Sequence, residues 1–148
     1  MKWRLLLLAV ALLLASSRGA EAACSVSSSG VNFGGYNVYN PADDPSTGDV
    51  TYRCTSFEVV VQISLSAGSG TYTTRTMKKG AENLNYNLFR DGAFTSVWGD
   101  NSGSTDVYTR FFPPTNSDVD VVVYGRITAL QDVSVGSYND TITATINF

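Results

Sequence analysis

The chain has 148 residues, ten Lys and Arg against thirteen Asp and Glu, a formal net charge of −3 and no histidine. The missing histidine removes Ser-His-Asp and Cys-His catalysis, histidine-based zinc sites and the commonest general base. An acidic balance without a basic cluster argues against nucleic acid and anionic membrane surfaces as partners.

The first element in chain order is a leader. Lys2 and Arg4 precede an apolar run from Leu5 to Ala15, and seven of the eleven leucines fall in the first fourteen residues. A run of this length matches the core of a secretory signal and is too short to span a bilayer. Ala20-Glu21-Ala22 supplies a small-residue cleavage site, so residues 1–22 are expected to be a signal peptide and 23–148 one mature domain. Cleavage leaves 126 residues with a net charge of −5, enough for one real core. No second apolar run approaches twenty residues, so no membrane span is expected in the mature domain.

Cys24 and Cys54 are the only cysteines. An even count in an exported chain points to one disulfide. Closing a loop of about 30 residues is worth roughly 3.7 kcal/mol in the chain-entropy picture. A redox pair would need closer spacing, and a metal site would need more ligands than two cysteines supply.

The mature part then reads as strands and turns. Val50, Tyr52 and Cys54 alternate with polar neighbours, and Phe57, Val59, Val61, Ile63 and Leu65 form a longer alternating run. Leu84, Tyr86 and Leu88 alternate with three asparagines. Val119, Val121, Val123, Gly125 and Ile127 make another strand, with Val122 and Tyr124 on its other face. The last runs through Ile142, Ala144, Ile146 and Phe148. Turn clusters at 41–48, 67–70, 99–104 and 113–118 separate these runs. About seven strands of β-branched and aromatic residues predict an all-β, antiparallel β-sandwich.

The order of short motifs is informative: Cys24, then Val31-Asn32-Phe33-Gly34-Gly35-Tyr36, Gly48-Asp49-Val50-Thr51-Tyr52-Arg53-Cys54, Arg75-Thr76-Met77, Leu84-Asn85-Tyr86-Asn87-Leu88-Phe89-Arg90-Asp91, Val97-Trp98-Gly99-Asp100, Val123-Tyr124-Gly125-Arg126-Ile127 and Gly136-Ser137-Tyr138-Asn139-Asp140-Thr141-Ile142-Thr143. Taken together they resemble the spore coat protein U domain, the pilin-type domain of archaic chaperone–usher pili. The resemblance covers essentially the whole mature chain. It implies an immunoglobulin-like sandwich lacking its final strand, with a hydrophobic groove beside the first and last strands. It further implies three partners: a periplasmic chaperone that fills the groove first, an usher, and a neighbouring pilin subunit whose N-terminal segment replaces the chaperone. The groove is expected between Val31 and Phe33 on one side and Ile142, Ala144, Ile146 and Phe148 on the other. Recognition would be by β-strand addition, in which ladder hydrogen bonds give affinity and alternate side chains fill the groove. Export through the periplasm to the cell surface, or secretion, follows from the same resemblance.

One departure is notable. Cleavage after Ala22 leaves only Ala23 before Cys24, whereas polymerising members carry an apolar-alternating donor segment there. The expectation is a subunit that accepts a strand without donating one, as at a pilus tip or terminus. Two alternatives stand beside the structural subunit: a tip adhesin using Phe94, Val97, Phe111 and Phe112 at its loops, and a coat or matrix protein of a resting cell. No catalytic set, metal site or cofactor site is evident, so an enzyme is not expected. Asp43 and Asp44 between two prolines read as a solvated turn, Lys78-Lys79 as a loop pair, Trp98 as a core or turn anchor, and Arg75, Arg90 and Arg126 as partners of acidic residues near strand ends.

Overall fold

The computed structural model describes residues 23–148, so the expected signal peptide at 1–22 lies outside the described residues. Eight strands occur in the order β1 (Cys24–Val31), β2 (Asp44–Cys54), β3 (Val60–Leu65), β4 (Arg75–Lys79), β5 (Glu82–Phe89), β6 (Tyr108–Phe111), β7 (Asp118–Ile127) and β8 (Ala144–Asn147). They form two antiparallel sheets, a five-stranded one ordered β1-β2-β7-β5-β4 and a three-stranded one ordered β6-β3-β8. No helix among the described residues is long and apolar enough to cross a membrane.

The period of two explains which side chains meet between the sheets. Val50, Tyr52 and Cys54 on β2, Val61, Ile63 and Leu65 on β3, Leu84, Tyr86 and Leu88 on β5, and Val123 and Ile127 on β7 are all buried. Trp98 is fully buried, and its indole N–H donates to the Ile63 carbonyl at 2.9 Å. That bond ties the loop after β5 to the opposite sheet and satisfies the ring's one polar group.

Several expected boundaries move. The alternating run from Phe57 begins as a strand only at Val60; Phe57 and Val59 stand exposed at 68% and 60%. The turn cluster at 41–48 is half strand, because Asp44–Gly48 pairs with Ile127–Val123 of β7. Pro45 is tolerated there since β1 pairs with β2 only as far as Gly48, leaving an edge that needs no proline N–H. Lys78 and Lys79 close β4 rather than sit in a loop, and β8 starts at Ala144, two residues after Ile142.

Candidate functional site

β1 ends one side of the large sheet and β8 ends one side of the small sheet. The two edges lie across from each other, with Cα atoms approaching within 8 Å. Cys24 and Cys54 stand opposite each other in the β1–β2 ladder and form a disulfide, which clamps the first residue of the edge strand to its neighbour.

The backbone geometry shows which groups each edge offers. Ser66 N–H donates to the Thr143 carbonyl at 2.9 Å, just beyond the β3–β8 ladder. Hydrogen-bonded residues recur every second position in an antiparallel pair. Thr145 and Asn147 therefore turn toward β3, while Ala144 and Ile146 turn their N–H and C=O groups outward. The Leu65 N–H, opposite Ala144, accordingly points away from β8 to the Gly99 carbonyl at 3.1 Å. On β1, Thr55 N–H donates to the Ala23 carbonyl at 2.7 Å, so by the same alternation Cys24 and Val26 face outward. Unpaired groups of this kind are a template for another strand.

Between the edges lies a cavity of about 650 Å³, more apolar than polar in its lining. Val50, Leu65, Leu88 and Val123 form its floor; Val26 and Val31 stand on the β1 side, and Ile142 and Ala144 on the β8 side. A second cavity of about 720 Å³ adjoins it and shares Val31, Phe33, Met77 and Tyr138. Phe33 reaches this place because Gly125 has no side chain: a Cβ there would stand 2.7 Å from the Phe33 ring and 2.8 Å from Val31. The Phe33 ring packs edge-on against Tyr86 at 5.8 Å between centroids.

Of the residues expected around a groove, Val31, Phe33, Ile142 and Ala144 surround this cavity. Ile146 packs against the core instead, and Phe148, half exposed at 49%, lies past the end of β8. Val26, Met77 and Tyr86 also line it and were not anticipated. The loop between β7 and β8 forms the outer wall. Tyr36 OH donates to the Thr128 carbonyl at 3.0 Å and accepts from the Gln131 N–H at 2.8 Å, fixing where that loop begins. Among the described residues no group of three or more His, Cys, Asp or Glu is placed to hold a metal ion.

The aromatic residues considered as contact points separate into two groups. Phe94 folds back on Phe89 at 5.5 Å, with the Arg126 guanidinium 5.1 Å from each ring, and Val97 is half-buried. Phe111 and Phe112 are exposed at 65% and 64%, and Phe112 stacks on Phe57 at 6.2 Å. They sit at the β6 edge, on the far side of β3 from β8.

A disulfide-bonded, immunoglobulin-like antiparallel sandwich with two open edges flanking an apolar cleft defines the class: an all-β domain of the pilin type. The chain belongs to the Spore Coat Protein U domain family, whose model matches residues 9–145. It is 33% identical over 146 residues to Protein U of Myxococcus xanthus, covering 85% of this chain and 78% of that protein. Among solved structures, it shares its fold with a chain of the CsuC–CsuE chaperone–tip adhesion subunit pre-assembly complex from archaic chaperone-usher Csu pili of Acinetobacter baumannii. The TM-score is 0.61 at 22% identity, over 84% of this chain and 39% of that chain, so this protein spans well under half of its structural neighbour.

Proposed function

We propose that this protein is an exported structural subunit of a surface appendage, assembled by insertion of a β-strand from another protein between β1 and β8. The observation that carries it is the pair of outward-facing strand edges across one apolar cleft. An exposed edge beside apolar surface is an aggregation hazard, and an incoming strand removes it by completing the ladder. The family membership and the fold shared with a chain from a chaperone–subunit complex support a periplasmic chaperone as first occupant. An usher and neighbouring subunits are the partners that assembly then requires, and the destination is the cell surface.

Co-expression with a chaperone of an archaic chaperone–usher system tests this reading. The wild-type chain should copurify with it. Ala144→Asp, which puts a charge on the cleft wall, and deletion of residues 144–148 should abolish recovery. Leu130→Asn, at an exposed position outside both cavities with φ 55°, should leave recovery intact. Unchanged recovery of both cleft variants, with the disulfide and strand signature retained, would overturn the proposal.

A further inference from the structure

Among the described residues, Asp140 is the one charged residue lining the cavity between β1 and β8, and none lines the adjoining cavity. Its carboxylate is held in place from three directions. The Ser69 and Thr141 N–H groups donate to Oδ1 at 2.9 Å each, and the Tyr86 hydroxyl donates to Oδ2 at 2.8 Å. The turn opposite is shaped to admit it: Gly68 has φ +64°, and a Cβ there would stand 2.1 Å from Oδ2. The buried cation of this region, Arg75, does not line the cavity; its N–H groups are committed to the Ser66 and Trp98 carbonyls and to Asn87 Oδ1. Lys79, near the outer wall, is occupied by Glu82 at 3.3 Å and the Val135 carbonyl at 2.7 Å.

An otherwise neutral apolar cleft with one fixed carboxylate discriminates by charge. We propose that the cleft selects its occupant by charge as well as by apolar alternation: it prefers a strand that carries Lys or Arg beside Asp140 over one with Asp or Glu at that position. This rests on the strand-acceptor reading above. A cation next to Asp140 keeps a partner while the rest of the strand is desolvated, whereas a carboxylate there meets like charge in a partly dry site. Asp140 is only half-buried, and Arg75 behind it offsets part of its field. The discrimination is therefore modest, about tenfold between the two signs at low salt.

The test uses the full domain with its disulfide formed and labelled peptides of about twelve residues alternating Val and Thr, a length that spans such an edge. One position at a time is changed to Lys, Ser or Glu, and binding is read by fluorescence anisotropy at low and high salt. At one position the Lys peptide should bind about tenfold tighter than the Glu peptide, with Ser between, and the gap should shrink as salt rises. Asp140→Asn should close the gap and leave the Ser peptide within about twofold of its wild-type affinity. If that variant does not fold, the position and salt dependence in the wild type still decide. Equal binding of Lys and Glu peptides at every position, with the Ser peptide bound, would overturn the charge inference and leave the acceptor reading standing. A gap that persists in folded Asp140→Asn would assign it to net charge and also overturn the inference. Failure of every peptide, Ser included, to bind the folded domain would remove the acceptor reading itself.

Discussion

Arg75 is the one charged residue buried among those described, and it has no carboxylate partner. Its guanidinium instead gathers the Ser66 carbonyl at 2.9 and 3.1 Å, the Trp98 carbonyl at 2.6 Å and Asn87 Oδ1 at 2.6 Å. Burial pushes its acidity above that of a free guanidinium, and the Tyr72 ring 5.5 Å from its centre takes up part of the uncovered face. The group thus joins β4 to the end of β3 and to the Trp98 loop, across the two sheets. Arg75→Met should cost about 3 kcal/mol, because two carbonyls and an amide oxygen lose their donors in a dry interior. Urea denaturation measures it; a loss below about 1 kcal/mol, the size of an ordinary hydrogen bond, would contradict this account. Sequence reasoning grouped Arg75 with Arg90 and Arg126. Those two do pair with acids, Asp106 at 2.9 Å and Asp43 at 3.4 Å. Carboxylates can be looked for in a sequence, but backbone carbonyls brought together by loops leave no mark in it.

At the scale of elements, the segment between β7 and β8 behaves as a strap fastened along its length. Gln131 bonds the backbone of Asn85 in both directions, at 2.7 and 2.8 Å. Further on, Ser134 and Tyr138 each donate to Glu82 Oε2 at 2.5 Å, and Lys79 pairs with the same oxygen. Lys78 and Asn139 then exchange backbone bonds of 2.8 and 3.2 Å. The hydrogen bonds from Ser134 and Tyr138, helped by Lys79, draw the Glu82 carboxyl down to about 2. A depressed acid stabilises the fold at pH values above its ordinary, unfolded range, and that contribution is lost as pH falls through the folded value. The strap should therefore loosen between about pH 4.5 and about pH 2, where protonated Glu82 no longer accepts from both hydroxyls and Lys79. Amide exchange at Lys78, corrected for the intrinsic pH dependence of exchange, should accelerate as pH falls through that window in the wild type. In Glu82→Gln it should be faster at neutral pH and flat across the window; identical profiles would sink the idea. Strands with three or more alternating apolar residues, among them β2, β3, β5 and β7, were legible in the sequence because one face is buried. β1 was legible only at its Val31 end, since Ser25, Ser27, Ser28 and Ser29 leave Val26 nearly alone as an apolar signal. β6 is four residues long, and β4 carries a buried arginine where a pattern would want an apolar residue. Tertiary pairing made those strands, and propensity did not.

At the scale of the whole molecule, the disulfide decides whether the cleft has two walls. β1 is an edge strand, polar along most of its length, with a bulge between Ser28 and Gly30. Reduction should cost about 3–4 kcal/mol by the loop-closure estimate. It should also release β1 first, so that dye binding to apolar surface rises before the global transition. A reduced domain with unchanged denaturation midpoint and no early dye signal would show that the clamp is dispensable. Fold class and the disulfide were visible from alternation, cysteine count and motif order, and Val31, Phe33, Ile142 and Ala144, expected at a groove, line the cavity. Asp140, Met77 and Tyr86 also line it and were not expected there: Asp140 reaches the cleft from the strap just before β8, and Met77 and Tyr86 reach it from β4 and β5, at the end of the large sheet away from β1.

The exposed cluster of Phe57, Phe111 and Phe112 lies on the β6 side of the small sheet, opposite the edge that would be joined to a partner. A joint made through the β8 edge of each copy in a linear array would not itself cover the cluster. A contact too weak to hold one molecule to an apolar surface would then be repeated along the array at fixed spacing, and avidity would grow with length without any change in the single site.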